Sequence, residues 1–384
     1  MNISRLLALK SLVLVLSLLF MLFFMAVCVA AEVGEIQIVV VGPMTGGSAE
    51  WGESMREGVQ MAVDEINNAG GVLGRRLVFK VEDDQGNPNQ AVSLANKIIT
   101  EPNVTAIIGH FFTSCTMAAG PIYQREGIPT IAIASTHPDV PKIGDFIFRV
   151  NPTNTHQGSG VINFAVERLG FKRLAILYVE DDYGRGIFEV AQKTANDLGI
   201  DVVYSASHPA SGEVDFTALL TRAKADNPDA LVLFSYYTQA AQIVRQMDLV
   251  GFEVPVLGSD GLLQPGFLKI GGQYAEGTYI ATWFHPESDF PETVQYVKAY
   301  EARFNKASDT WSPFAYDAVM VLAEAIERAG TTDHNAVRDE MARTDGYVGP
   351  TGVITFDEDG APDVTFKKLL FVQVKDGKFE PIKN

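Results

Sequence analysis

The sequence predicts an α/β fold in which two doubly wound lobes, each built on a parallel sheet, are joined by three short crossings. Short β-rich runs alternate with amphipathic stretches from Ile36 onward, which is typical of parallel strands with helical crossovers. The alternation restarts after Asn151-Pro152, so the chain carries two βα series of similar size. About 350 residues also exceed one average core, which favours two lobes.

The first 31 residues predict a cleaved signal peptide. Arg5 and Lys10 accompany an uncharged run from Leu12 to Val27, and the small residues that follow suit a peptidase. An uncleaved membrane anchor is the alternative, because the run is nearly long enough to span a bilayer. A lipid anchor on Cys28 is less favoured, since Val27 is bulky where such sites need a small residue. We therefore predict a periplasmic or other extracytoplasmic protein.

The first βα series predicts five strands, with a helix after each of the first two. Met55, Val59 and Ile66 fall on one face of the first helix at helical spacing. Asn87-Pro88 opens the second helix, because proline is tolerated in a first turn. The predicted strands are Ile36 to Val41, Leu77 to Val81, Val104 to Ile108, Ile128 to Ile133 and Phe146 to Val150.

The second series alternates in the same way. Its predicted helices are Gln157 to Leu169, Gly186 to Leu198, Phe216 to Ala225 and Thr238 to Val250. Its predicted strands are Leu174 to Val179, Asp201 to Ser205 and Ala230 to Phe234. The C-terminal region adds helices at Thr293 to Phe304 and Phe314 to Ala329, and strands at Gly352 to Phe356 and Leu369 to Val374.

The crossings between lobes are predicted near Asn151, Trp283 and Thr365, because no long linker is present. One lobe then comprises residues 32–151 and 284–364, and the other residues 152–283 and 365–384.

Composition excludes several classes of partner. The formal charge is -17, and it becomes -19 once Arg5 and Lys10 leave with the leader, which argues against nucleic acid and anionic membranes. Cys28 and Cys115 are the two cysteines of the chain. Because the first would be removed with the leader, no intrachain disulfide is expected, and a large apolar core must stabilise the fold.

No catalytic or cofactor motif emerges, so we predict a protein that is not an enzyme and holds no cofactor or metal. The six histidines lack metal-ligand spacing, and a Gly-x-Ser-x-Gly turn and a phosphate-binding loop are absent. Gly184-Arg185-Gly186 resembles part of a dinucleotide fingerprint, but Glu189 occupies the third glycine position. The acidic clusters Asp83-Asp84 and 180–182 could hold a cation, although solvated loop charge is the favoured interpretation.

Loops at the carboxyl ends of parallel strands bind ligands in open α/β sheets. In the first series, Phe111, Phe112 and Thr113 lie where a helix should begin, and a helix start offers free N–H groups to a carboxylate. Thr113 or Ser114 could instead cap that helix, and the two roles are compatible. A second hydroxyl-bearing loop after the next strand is Ala134-Ser135-Thr136, which could also be an ordinary turn.

The second series has its own polar and aromatic strand ends. Asp260 lies in a Ser-Asp-Gly turn context, and as a pocket anion it would pair with a ligand ammonium. Tyr183 and Tyr236 would add apolar wall and hydroxyl groups. Trp51 lies near a loop tip and Trp311 near a helix start. Both could line the pocket, and burial in the core is the alternative interpretation.

Several sequence blocks together resemble the periplasmic leucine/isoleucine/valine-binding proteins of ABC importers. The resemblance covers essentially the whole mature chain and is specific to the superfamily rather than to one ligand. The blocks are Val39 to Gly46, Asn68 to Arg75, Glu82-Asp83-Asp84, Ile107 to His110, Asp182-Tyr183-Gly184, Ser259-Asp260-Gly261 and Gly349 to Gly352.

The resemblance implies a type I periplasmic binding fold that closes on an amino acid between its lobes. Thr113 then matches a serine that receives the ligand carboxylate, and Ala134 and Thr136 match groups that contact carboxylate and ammonium. Asp260 stands where the family has a glutamate paired with the ammonium, and Tyr236 matches a tyrosine beside it. The resemblance also gives Trp51, Tyr183 and Trp311 as aromatic residues of the pocket.

Three departures from the family pattern bear on the ligand. Gly86 and Phe112 stand where some members have a disulfide. Asp260 is one methylene shorter than glutamate. Trp311, Phe111 and Phe112 alter the bulk of the side-chain pocket, which argues against a strict preference for leucine, isoleucine or valine.

The leading hypothesis is a monomeric substrate-binding protein that captures an α-amino acid, branched-chain or otherwise aliphatic, and delivers it to the permease of an ABC importer. One alternative is a ligand-sensing ectodomain that signals to a membrane receptor. Others are binding of an amide or a small aromatic carboxylate, and an exported hydrolase. A hydrolase is disfavoured, because the sequence shows no nucleophile paired with a general base.

Overall fold

A computed structural model describes residues 34–212, 215–363 and 369–382 of the chain. The predicted signal peptide and the crossing near Thr365 lie outside the described residues. Two sheets with helices packed against them form the predicted α/β architecture. The exact lobe boundaries stay a prediction.

The first lobe is built on a five-stranded, fully parallel sheet of order β2-β1-β3-β4-β5. Its strands are apolar and buried between helices, as in other parallel sheets; Val39, Val40 and Val41 of β1 have no exposed area. The strands are β1 (Ile36–Gly42), β2 (Leu77–Asp83), β3 (Val104–Gly109), β4 (Thr130–Ala132) and β5 (Ile147–Arg149).

Helices from both ends of the sequence pack on this sheet. The long helix α10 (Ser312–Ala329) lies against α1 (Ala49–Asn68) and also contacts β3, so a late part of the chain completes the first lobe. Gly58 of α1 permits this close approach, because a Cβ there would collide with the carbonyl oxygen of Ser312. The helices are α1 (Ala49–Asn68), α2 (Pro88–Ile98), α3 (Thr113–Glu126), then α9 (Pro291–Phe304), α10 (Ser312–Ala329) and α11 (His334–Ala342).

The second lobe is built on a seven-stranded sheet of order β14-β13-β10-β9-β8-β6-β7. Five strands are parallel, as predicted, but the edge formed by β13 and β14 is antiparallel. The strands are β6 (Arg173–Val179), β7 (Asp201–His208), β8 (Ala230–Phe234), β9 (Val256–Gly258), β10 (Tyr279–Thr282), β13 (Leu370–Lys375) and β14 (Lys378–Pro381).

Helix α5 of the second lobe begins at Asp182, four residues before the predicted start. The cause is Asp181, whose side chain caps the helix by accepting the Gly184 N–H at 2.9 Å. The predicted helix at 157–169 begins at Asn154 and changes to π-helical turns after Asn163. The helices are α4 (Asn154–Asn163), α5 (Asp182–Leu198), α6 (Thr217–Ala225), α7 (Tyr237–Leu249) and α8 (Pro265–Gly271).

A small antiparallel hairpin of β11 (Tyr347–Gly349) and β12 (Gly352–Ile354) lies beside α9. It is held by Asp317 of α10, which accepts a hydrogen bond from the Tyr347 hydroxyl at 3.0 Å. The strand predicted at 352–356 ends two residues earlier, at Ile354.

The described residues hold one cysteine, Cys115, which is buried and unpaired. Among these residues no helix has both the length and the hydropathy needed to cross a bilayer.

Candidate ligand-binding site

The carboxyl ends of the two sheets meet at a small cavity of about 20 Å³. It contains every side chain that the sequence predicted for the site except Ser135 and Thr136, together with the unpredicted Gly261. The lining residues are Trp51, Phe111, Phe112, Thr113, Ala134, Tyr183, Tyr236, Asp260, Gly261 and Trp311. A space of this size holds a water molecule or two, so an amino acid requires its walls to move apart.

Aromatic rings from both lobes form most of the wall. Trp51 stacks on Phe111 with ring centroids 5.2 Å apart, and meets Tyr236 of the second lobe edge-on at 5.4 Å. Phe111 also packs edge-on against Trp311 at 5.2 Å. Trp51 lies in the first turn of α1 and is 1% exposed, so the prediction of a loop tip was wrong.

The first lobe contributes the start of α3. The N-cap is Phe112, which makes no capping hydrogen bond through its side chain, so the alternative that Thr113 or Ser114 caps this helix is not realised. The Thr113 hydroxyl accepts the N–H of Thr136 at 3.2 Å, which leaves its own proton to donate. Thr136 Oγ1 is buried and has no partner among the described residues. This end of the cavity therefore presents the Thr113 hydroxyl group and the uncapped N–H groups of a helix start.

Ser135 lies behind the cavity rather than in it. Its hydroxyl is 2.6 Å from Thr116 Oγ1 and donates to the Phe111 carbonyl oxygen at 3.2 Å. These bonds fix the loop that carries Phe111 and Phe112. A supporting role therefore fits Ser135 better than direct ligand contact.

A buried network that the sequence did not reveal supports the same loop. Asp84 Oδ2 lies 2.7 Å from His110 Nδ1, and His110 Nε2 lies 3.3 Å from the Tyr123 hydroxyl. All three side chains are completely inaccessible to solvent or nearly so. The interpretation of Asp84 as solvated loop charge was wrong. Within the described ranges, no group of three or more potential ligands is arranged around a metal site.

Gly86 and Phe112, which the resemblance places where some family members have a disulfide, are in contact. A Cβ on Gly86 would lie 2.6 Å from the Phe112 ring, so the ring occupies that side of the residue. Phe112 also packs edge-on against Tyr236 across the cleft, at 4.9 Å between centroids.

The second lobe contributes a buried carboxyl group without a cationic partner. Asp260 is 3% exposed, and burial raises its pKa to about 7, opposed by the nearby Gln157 amide and the Gly261 N–H. Across the described residues, none of the ion pairs involves Asp260. Gln157 is fully buried. Within the described residues, neither its side-chain amide nitrogen nor its amide oxygen has a hydrogen-bond partner of ordinary geometry. No local feature of the sequence indicates a role for Gln157.

The two site tyrosines are already hydrogen-bonded within the second lobe. The Tyr236 hydroxyl donates to Asp181 at 2.6 Å, and the Tyr183 hydroxyl lies 2.6 Å from Ser259 Oγ. Burial raises the pKa of both phenols well above the ordinary value, so both stay neutral. Asp181 is thus a capping and tyrosine-binding group, which corrects its interpretation as solvated charge.

The fold, with two α/β lobes and a cavity between their strand ends, is the type I periplasmic binding protein fold. A family model described as "Periplasmic binding protein" matches residues 35–378. A "Leucine-, isoleucine-, valine-, threonine-, and alanine-binding protein" of Pseudomonas aeruginosa is 33% identical over 326 residues, covering 85% of this chain and 86% of that protein. A "Leucine-specific-binding protein" of Salmonella typhimurium is 30% identical, covering 88% and 90%. The chain belongs to the periplasmic leucine/isoleucine/valine-binding protein family.

Solved structures agree with this assignment. A leucine-binding protein of Thermotoga maritima superposes with a TM-score of 0.85 at 31% identity, covering 91% of this chain and 98% of the other. A branched-chain amino acid transporter substrate-binding protein of Streptococcus pneumoniae, solved with isoleucine, gives a TM-score of 0.84 at 27% identity, covering 91% and 100%.

Proposed function

We propose that this protein captures an α-amino acid with a compact, mainly aliphatic side chain between its lobes and delivers it to the membrane permease of an ABC importer. It acts outside the cytoplasm, as a monomer and by binding rather than by turnover. The names of its relatives support a ligand of this class.

The observation that carries the proposal is the buried Asp260 carboxyl group. A buried carboxylate costs several kcal/mol unless it is paired, so the protein must hold it protonated or supply a cation. Asp260 lines the interlobe cavity, and a ligand ammonium placed there would supply the missing charge.

The opposite wall suits the other end of an amino acid. Thr113 has a hydroxyl proton to donate, and the start of α3 has N–H groups free of any side-chain cap. Both features favour a carboxylate. Because Thr113 and Asp260 belong to different lobes, an α-amino acid would connect the lobes and stabilise the closed form.

Calorimetric titration of the purified protein with the twenty amino acids tests the proposal. We expect at least one compact aliphatic amino acid to bind, and Asp260→Asn to weaken it at least a hundredfold by removing the charge while keeping the shape. Asp248→Asn, an exposed aspartate of the same lobe, is the matched control and should bind normally. The proposal would be refuted if none of the twenty amino acids bound, or if Asp260→Asn bound its ligand normally.

A further inference from the structure

Two tryptophans of the cavity carry indole N–H groups that bind nothing within the described residues. Trp51 is 1% exposed and Trp311 is 4% exposed, and both line the cavity. Buried polar groups are nearly always hydrogen-bonded, because an unmade bond costs about 1–3 kcal/mol. Two such donors at one small cavity point to a ligand atom that satisfies them.

The surroundings of these indoles are aromatic. Trp51 packs against Phe111, Phe112, Tyr236 and Tyr237, and Trp311 packs against Phe111 and Phe314. A ring face accepts an N–H only weakly compared with an oxygen atom. The indole N–H can donate but not accept, so the missing partner is an acceptor.

We infer that the ligand side chain carries an oxygen acceptor, and that Trp51 or Trp311 donates to it. The inference rests on the proposed function, in which Asp260 and Thr113 take the ammonium and carboxylate groups. The proposed function limits the side chain to a compact one. A hydroxyl on a short aliphatic side chain, as in threonine, satisfies both requirements.

Valine is the informative comparison because it has nearly the shape of threonine and lacks the oxygen. With valine bound, the indole donors would stay buried and unsatisfied. A site built to hydrogen-bond a polar group rejects an analogue without it more strongly than an apolar site rejects an added hydroxyl. The tryptophans would therefore determine specificity within compact side chains.

The test is calorimetric affinity for two near-isosteric pairs, threonine with valine and asparagine with leucine. We expect the oxygen-bearing member to bind about tenfold tighter in every pair that binds. An apolar member that binds equally or better, or binding of apolar amino acids alone, would overturn the inference and leave the proposed function intact. Failure of all amino acids to bind would overturn both.

Three tryptophan variants complete the test. Trp51→Phe and Trp311→Phe remove the N–H and keep a ring. In at least one of these variants, the ratio of the affinities for the oxygen-bearing and the apolar amino acid should therefore fall towards 1:1. Trp283→Phe is the matched control, because its indole N–H also lacks a partner in the described part of the chain but lines a different cavity. The preference is a ratio within one variant, so the lost ring volume largely cancels. An unchanged preference in both site variants would overturn the inference.

Discussion

The hydroxyl of Tyr237 donates a hydrogen bond to the carbonyl oxygen of Gly47 at 2.9 Å, which joins the first residue of α7 in the second lobe to the loop before α1 in the first. A second bond spans the lobes nearby, from the N–H of Gly266 to Glu50 at 3.1 Å. Neither contact requires a ligand, so both stabilise the closed form by themselves.

Tyr237→Phe should therefore weaken binding of every ligand by the same factor, about threefold to tenfold, because one net hydrogen bond of the closed form is lost. Calorimetry would measure the affinity, and solution scattering should show a larger average radius for the free variant. Tyr274→Phe, at an exposed tyrosine, is the control. A ligand-dependent effect, or none, would contradict this role.

The raised pKa of Asp260 predicts how stability depends on pH without ligand. The folded protein holds this proton up to pH about 7, whereas the unfolded chain loses it near the ordinary value of 3.8. Between these limits the folded state binds more protons, so rising pH lowers the Asp260 contribution to stability. The free energy of unfolding of Asp260→Asn should exceed that of the wild type by about 2–4 kcal/mol at pH 8, and the two free energies should converge below pH 4. Urea denaturation at both pH values measures this, and an equal stability at pH 8 would contradict it.

The Asp84–His110 pair predicts a large contribution to the stability of the first lobe. Asp84→Ala leaves His110 buried without its partner, which should lower the free energy of unfolding by about 3 kcal/mol. Asp139→Ala, which breaks an exposed pair with Lys142, should cost far less, because solvent screens this pair. Urea denaturation of the two variants compares them; similar losses would show that the buried pair has no special role.

The sequence predicted the parallel sheets well because their strands are long apolar runs, such as Ala230 to Phe234, which β8 reproduces residue for residue. It missed β14, although Asp376-Gly377 is a strong hairpin signal. Both residues adopt positive φ, 49° and 69°, and Lys375 pairs with Lys378 across the turn. The antiparallel edge of the second sheet was therefore within reach of sequence reasoning.

The chemistry of individual polar residues was harder to predict, because it depends on contacts between distant parts of the chain. Asp84 and Asp181 both follow strands in acidic clusters and read as solvated charge. The fold places His110 against one and Tyr236 against the other, 26 and 55 residues away. Gln157 lies near Asp260 because α4 packs against α5 and β10 of the second lobe, and nothing in its local sequence indicates that.

Proton release on binding tests the central claim most directly, namely that the Asp260 carboxyl group is charged by pairing with the ligand ammonium. Titrations at pH 6 in buffers of different ionisation enthalpy give the number of protons released. We predict close to one proton for the wild type, since Asp260 is mostly protonated before binding, and close to none for any residual binding by Asp260→Asn. Tight binding by the wild type without proton release would contradict the account.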